Sequence, residues 1–208
     1  VDEINRTTPR TQSALLEAMN ESQVTADGKT YPLGPPFMVL ATQNPYEFEG
    51  TYFLPENQLD RFMIRVRIGY PDKQTERQVL TTQPSRTALP KLQPVMSTHD
   101  ILALQQQVFD VRVDDAIIEY ILAVAEATRR SDELSLGLSP RGALALLQAC
   151  KGAAVLDRRD YVVPDDVKGL AVPVCAHRLM TKAFMHDGST SAAEAVFQQI
   201  LETIPAPR

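Results

Sequence analysis

Four places along the 208-residue chain carry side chains whose type and position could do chemistry. Asp2 and Glu3 stand side by side after one apolar residue, and adjacent acids of this kind commonly close a buried strand. The alternative is two solvated acids at a terminus. Asn44 lies at the polar end of PFMVLATQNP, where Thr42, Gln43 and Asn44 follow an apolar run; in open α/β sheets ligands sit beyond the carboxyl ends of strands. Asn44 before Pro45 also suits an Asx turn. Arg61 lies in QLDRF and could face an anion or pair locally with Asp60. Arg141 follows Ser139-Pro140, which reads as N-cap and N1, and so takes N2, where the helix dipole disfavours a cation by about 0.3 to 1 kcal/mol. A cation there makes sense with an anion in front of it; the plain alternative is a surface Arg paired with an acid across a helical joint.

Local signals give the elements that must hold these groups. Thr8-Pro9 starts a helix over 9–21, with Ala14, Leu15, Leu16, Ala18 and Met19 at helical spacing. Asp27-Gly28 between short strand-like arms predicts a hairpin over 23–33. Residues 37–42 are continuously apolar, as in a strand of a parallel sheet buried on both faces. MIRVRIGYP alternates, which predicts a half-exposed strand closed by Gly69 to Pro71. Helices follow: Asp72 caps one, Ser97 and Asp100 form a capping box, and Asp114 opens a long helix with Ile117, Ile118, Ile121, Leu122 and Ala125 as its stripe. Ser139, Pro164, Pro173 and Ser191 with Glu194 begin four more.

The chain therefore divides into a strand-bearing piece, 1–71, a joint, 72–84, and an all-helical piece, 85–208. An apolar content of 44% with 23% charged residues is that of a folded domain. The net charge of −5, with acids and bases interspersed, argues against generic nucleic-acid binding. Cys150 and Cys175 lack a CxxC spacing and read as buried free thiols, and His99, His177 and His186 have no zinc-ligand spacing. No apolar run reaches membrane-spanning length and the start has no signal pattern, so a cytoplasmic protein without membrane insertion is expected.

Taken in order, the stretches DEINR, ATQNP, EGTYFLPENQLDRF and LSPRG resemble the MoxR family of AAA+ ATPases over nearly the whole chain. The resemblance implies an α/β fold: the distal part of a P-loop NTPase core followed by an all-α lid. It implies ATP and Mg2+ as cofactors, with Asp2 as the Walker B acid that holds the metal and Glu3 as the group that orients and deprotonates the attacking water. Asn44 corresponds to sensor 1, which bonds the γ-phosphate and the water. Arg61 resembles the arginine finger that one subunit offers to its neighbour's nucleotide, and Arg141 resembles sensor 2, which reaches from the lid to the γ-phosphate and reports hydrolysis as lid movement. The 23–33 hairpin matches the insertion before sensor 1, although its tip has no aromatic residue. Arg6 and Arg10 fall near the expected subunit interface. Val163 stands where the family more usually places a capping Thr before Pro164.

A homo-oligomer is implied, a hexameric ring in the intact protein, that hydrolyses ATP and acts as a chaperone-like remodeller or maturation factor for a client. No GxxxxGK[ST] occurs in the sequence, so the chain reads as a C-terminal fragment beginning in the Walker B strand, unable to bind or hydrolyse ATP alone. Two other readings are a helical protein-binding module in which the acidic pair is idle, and a DNA-translocating relative, the latter disfavoured by the acidic balance.

Overall fold

The computed structural model describes residues 1–43, 54–182 and 190–207. Its first helix, α1 (Pro9–Glu21), has the expected bounds, with the Thr8 hydroxyl accepting from the Thr11 amide and Pro at the first turn. It runs into an antiparallel hairpin, β1 (Gln23–Ala26) and β2 (Lys29–Pro32). Asp27 and Gly28 both have positive φ, 51° and 72°, the conformation a two-residue primed turn requires.

Residues 37–43 are extended, but their pairing is short. Val1 N donates to the Leu40 carbonyl (2.7 Å) and Thr42 N donates to the Val1 carbonyl (3.0 Å), which is the pattern of a parallel ladder centred on residues 1 and 41. The expected burial on both faces is not found. Met38 is 74% exposed and Leu40 72%, and among the described residues Val1 and Ile4 are the backbone partners of this run. The 63–68 run is likewise extended without a ladder; Arg65 N bonds the Pro173 carbonyl instead, and Ile68 is 97% exposed. A short helix α2 (Glu56–Leu59) precedes it.

After the extended run come α3 (Lys73–Thr82), capped by Asp72, and a one-turn α4 (Pro84–Thr87). Helix α5 (Thr98–Asp110) starts with the reciprocal Ser97–Asp100 capping box. The main core is built by α6 (Asp115–Arg130), α7 (Pro140–Leu156), α8 (Pro164–Cys175) and α9 (Thr190–Thr203). On α6 the buried stripe is Ile117, Tyr120, Ile121, Val124, Ala125 and Thr128, whereas Ile118 and Leu122 of the expected stripe are exposed. Helices α7 and α9 both contact α6, and its buried side is the one that carries residues 117, 121, 124 and 128. Cys150 and Cys175 are free and buried, as read from the sequence, and burial pushes both thiols up to about 12.

The helix starts read at Pro164 and Pro173 have different outcomes. Pro173 lies inside α8 rather than opening a new helix; lacking an N–H it cannot bond the Gly169 carbonyl, and the α-helix gives way two residues later to a 3-10 turn, Ala176–Arg178. Val163 has no side-chain acceptor, yet α8 still starts at Pro164. Asp166 reaches back and accepts the Val163 amide at 2.9 Å, and its carboxylate is held by both Arg159 terminal nitrogens at 2.7 and 3.0 Å. Last, β3 (Leu134–Leu136) pairs with β4 (Met180–Thr181) and ties the chain before α7 to the chain after α8.

Candidate active site

Thr42 organises the acidic pair. Its hydroxyl accepts from the Glu3 amide at 2.8 Å and donates to Asp2 Oδ1 at 2.5 Å, so one side chain from the paired segment fixes both acids. Glu3 sits at φ 45°, a left-handed conformation costly for a side chain with a Cβ, and its carboxylate is paired with Arg6 at 3.0 Å. Strain at a residue of this kind is expected where the surroundings over-determine it. Gln12, buried on α1, donates to the Ile4 and Thr7 carbonyls and so anchors the turn after the pair.

Among the described residues no group of three or more His, Cys, Asp or Glu could hold a metal. A lone exposed carboxylate with one oxygen committed to Thr42 nevertheless fits Mg2+, which keeps most of its waters and takes one or two protein carboxylates. Asp2 is the fitting residue.

The arginines form a second assembly. Ser139 caps α7 by accepting the Gly142 amide at 3.1 Å, with Pro140 at N1, which puts Arg141 at N2 as the sequence predicts. The approach to this cap is clamped onto the end of α6: Thr128 Oγ1 accepts the Leu138 amide, and Arg129 Nε donates to the Leu138 carbonyl, both at 2.9 Å. Gly137 lies against the Arg129 backbone so closely that a Cβ would stand 2.7 Å from its Cα. Arg141 is exposed and has no ion pair among the described residues.

Arg61 and Arg141 line one cleft of about 180 Å3, together with Met19, Asn20, Asp60 and Arg178 among others. The local pairing of Arg61 with Asp60 does not occur. Asp60 is taken by Arg178 at 2.9 Å, while Arg61 donates to Asn20 Oδ1 on α1 and its Nε is buried without a partner among the described residues. Ligand sites commonly enclose about 300 to 1,000 Å3. The cleft is therefore too small for a whole nucleotide, and it carries the Asp60 carboxylate beside its guanidinium groups.

The structure thus brings Arg61 and Arg141 to one cleft, and neither Asp2 nor Glu3 lines it. Asn44 lies outside the described residues. Arg10 is exposed on the first turn of α1. Sequence reasoning missed Thr42 as the brace of the acids and Arg178 as the partner of Asp60. Arg178 did leave a signal, a charge in the apolar run VPVCAHRLM, since an arginine is seldom buried unless paired. Its neighbour His177 is also buried. Its Nε2 lies 2.9 Å from the Phe62 carbonyl and 3.2 Å from Arg178 Nη1; desolvation, then the adjacent Arg178, lower its pKa to about 4.

Residues 1–64 match the family model described as ATPase family associated with various cellular activities (AAA), and residues 126–200 match the AAA lid domain. The uncharacterized protein YeaC of Bacillus subtilis is 47% identical across 99% of the chain and 64% of its own length. Chaperone MoxR1 of Mycobacterium tuberculosis is 37% identical across all of the chain and 56% of its own length. A crystal structure of a putative ATPase from Cytophaga hutchinsonii superposes with a TM-score of 0.88 at 34% identity, over 100% of this chain and 66% of that one. The chain spans roughly three fifths of the length of these proteins. With an AAA family model over its first part, a lid model over its helical part, these identities and the shared backbone course, the chain belongs to the MoxR-type AAA+ ATPases.

Proposed function

We propose that this chain supplies two half-sites of an ATP-hydrolysing ring: an acidic half at Asp2, Glu3 and Asn44, and a cationic half at Arg61 and Arg141. The observation that carries the reading is the shared cleft of Arg61 and Arg141, where one anion can meet both guanidinium groups and which is lined by neither acid. Acids and arginines held apart on one chain are brought to one nucleotide when copies assemble side by side, and the hexameric ring is the assembly that the family resemblance favours.

In this reading residues 1–71 form the distal nucleotide-binding core, 72–84 the joint and 85–208 the lid. Asp2 holds magnesium, oriented by the Thr42 hydroxyl. When bound, the metal neutralises charge on the phosphate oxygens. Glu3, once its ion pair with Arg6 opens, accepts a proton from the attacking water, and Asn44 orients that water. Arg61 and Arg141 stabilise the charge that spreads over the transferred phosphoryl oxygens, a contribution worth about 10^3 to 10^5 in turnover for a finger. Hydrolysis to ADP and phosphate then drives lid movement used to remodel or mature a client protein.

The 208 residues contain no GxxxxGK[ST], so they lack the amide cradle and lysine that supply nucleotide affinity in such enzymes. Titration of a non-hydrolysable ATP analogue into the chain by calorimetry is expected to show no low-micromolar binding; such binding would contradict the division of labour. Supplying a phosphate-loop segment is expected to restore hydrolysis, and Glu3→Gln or Arg61→Ala to abolish it. Activity that survives both substitutions would remove the assignment.

A further inference from the structure

Arg178 is 5% exposed and all five of its N–H groups are directed at oxygens. Nε donates to Asp60 Oδ1 at 2.9 Å; Nη2 donates to the Asp60 and Phe62 carbonyls at 3.1 and 2.9 Å; Nη1 donates to the Met63 carbonyl at 3.2 Å and to the Val174 carbonyl. Three of the carbonyls and the carboxylate belong to residues 60–63, the turn that bears Arg61. The arginine itself belongs to the helical part, 118 residues further along the chain. His177 adds a bond to the same Phe62 carbonyl.

The other end of the connection is α7. Gly142, the residue after Arg141, is packed against the Arg178 stem: a Cβ on Gly142 would lie 3.0 Å from Arg178 Cδ and 2.5 Å from Leu138 Cδ1. One buried side chain thus touches the helix start carrying Arg141 and holds the turn carrying Arg61. A planar guanidinium with every donor filled is a stiff joint, since its fork fixes direction as well as distance.

We propose that Arg178 is a positioning residue that locks Arg61 and Arg141 into one rigid clamp, so that both address the same phosphoryl group and move together with the lid. The proposal rests on the reading of Arg61 as a group offered to a neighbouring subunit's nucleotide. Arg178 does not touch that nucleotide itself; it acts through the turn it holds. A misplacement of about 1 Å in such a group can cost on the order of 100-fold in turnover.

The test uses the ATPase that carries this chain together with a phosphate-loop segment. Arg178→Ala is expected to lower kcat by about 100-fold while KM for ATP changes less than about threefold, the signature of an interaction made in the transition state. Arg178→Lys keeps the charge without the fork, and Asp60→Asn keeps the carbonyl bonds; both are expected to fold, by circular dichroism, and to show smaller kcat losses in the same direction. Each variant is then mixed with Glu3→Gln subunits. An Arg178→Ala subunit has an intact acidic half, and a Glu3→Gln neighbour has an intact clamp, so mixed rings are expected to regain activity, as Arg61→Ala mixtures do. Unchanged kcat in Arg178→Lys and Arg178→Ala overturns the proposal. So does recovery in Arg61→Ala mixtures without recovery in Arg178→Lys mixtures. If Arg61→Ala mixtures themselves fail to recover, the reading of Arg61 falls, and the clamp falls with it.

Discussion

Replacing Asp166 by Ala is expected to destabilise the helical part by about 3 kcal/mol. The carboxylate is 7% exposed and accepts three charge-assisted or amide bonds: two from Arg159, at 2.7 and 3.0 Å, and one from the Val163 amide at 2.9 Å. Breaking a buried ion pair by deleting one partner costs about 3 to 5 kcal/mol, because the other charge stays behind. Here the penalty falls at the lower end. Arg159 is 20% exposed and keeps Asp157 at 3.1 Å and the Tyr161 carbonyl at 2.8 Å. Losing the acceptor of the Val163 amide contributes roughly 1 kcal/mol to the total, since no side-chain cap stands in for it. The chain has no Trp, so urea unfolding is best followed by far-ultraviolet circular dichroism. The midpoint should fall with the slope unchanged. A second arm replaces both partners, Arg159→Leu with Asp166→Leu, and is expected to cost less than Asp166→Ala because no charge is stranded. A loss below about 1 kcal/mol for Asp166→Ala, or a double variant worse than the single, would refute the argument that this pair replaces the missing cap.

Gly137→Ala is expected to cost about 1 to 3 kcal/mol, because the new Cβ meets the Arg129 backbone at 2.7 and 2.8 Å and only backbone movement can relieve it; a thermal midpoint equal to that of the parent chain would contradict this. His177 gives a pH dependence with a definite sign. Its pKa falls from 6.5 to about 4 on folding, so the unfolded chain takes up the proton first as pH drops. The contribution is fully present above pH 6.5 and is lost progressively between there and about pH 4, at most about 3 kcal/mol by linkage. The groups facing the ring are Arg178, Arg65 and Asp60, of which the two arginines oppose its protonation. Urea midpoints of the parent chain and His177→Gln, measured from pH 7 to 4, should diverge in this window, and parallel curves would exclude the effect.

Much of the helical architecture is legible in the sequence because its signals are local. Thr8-Pro9, Asp72, the Ser97–Asp100 box, Asp114 and Ser139-Pro140 each mark a helix start that the structure reproduces, and each needs only a side-chain oxygen within three residues of the amides it accepts. Asp27-Gly28 is legible for the same reason. Where the outcome depends on a distant neighbour, the local signal falls short. The α6 stripe is centred on residues 117, 121 and 124 because of what packs on it, and the apolar 37–42 run is buried only to the degree that neighbours line it. Pro173 looks like a helix start, yet the preceding turns of α8 carry it within the helix.

By itself the sequence determined the helix starts, the hairpin and the order of motifs that ties this chain to its family, since these depend on bonds between residues a few positions apart and on residue identity alone. Only the tertiary structure decided that Thr42 braces Asp2 and Glu3, that Arg61 and Arg141 share a cleft, and that Arg178 fills Asp60 and the carbonyls beside Arg61. Those contacts join residues 39 to 118 positions apart, and no spacing rule can specify which buried donor will meet which acceptor once the chain has closed on itself.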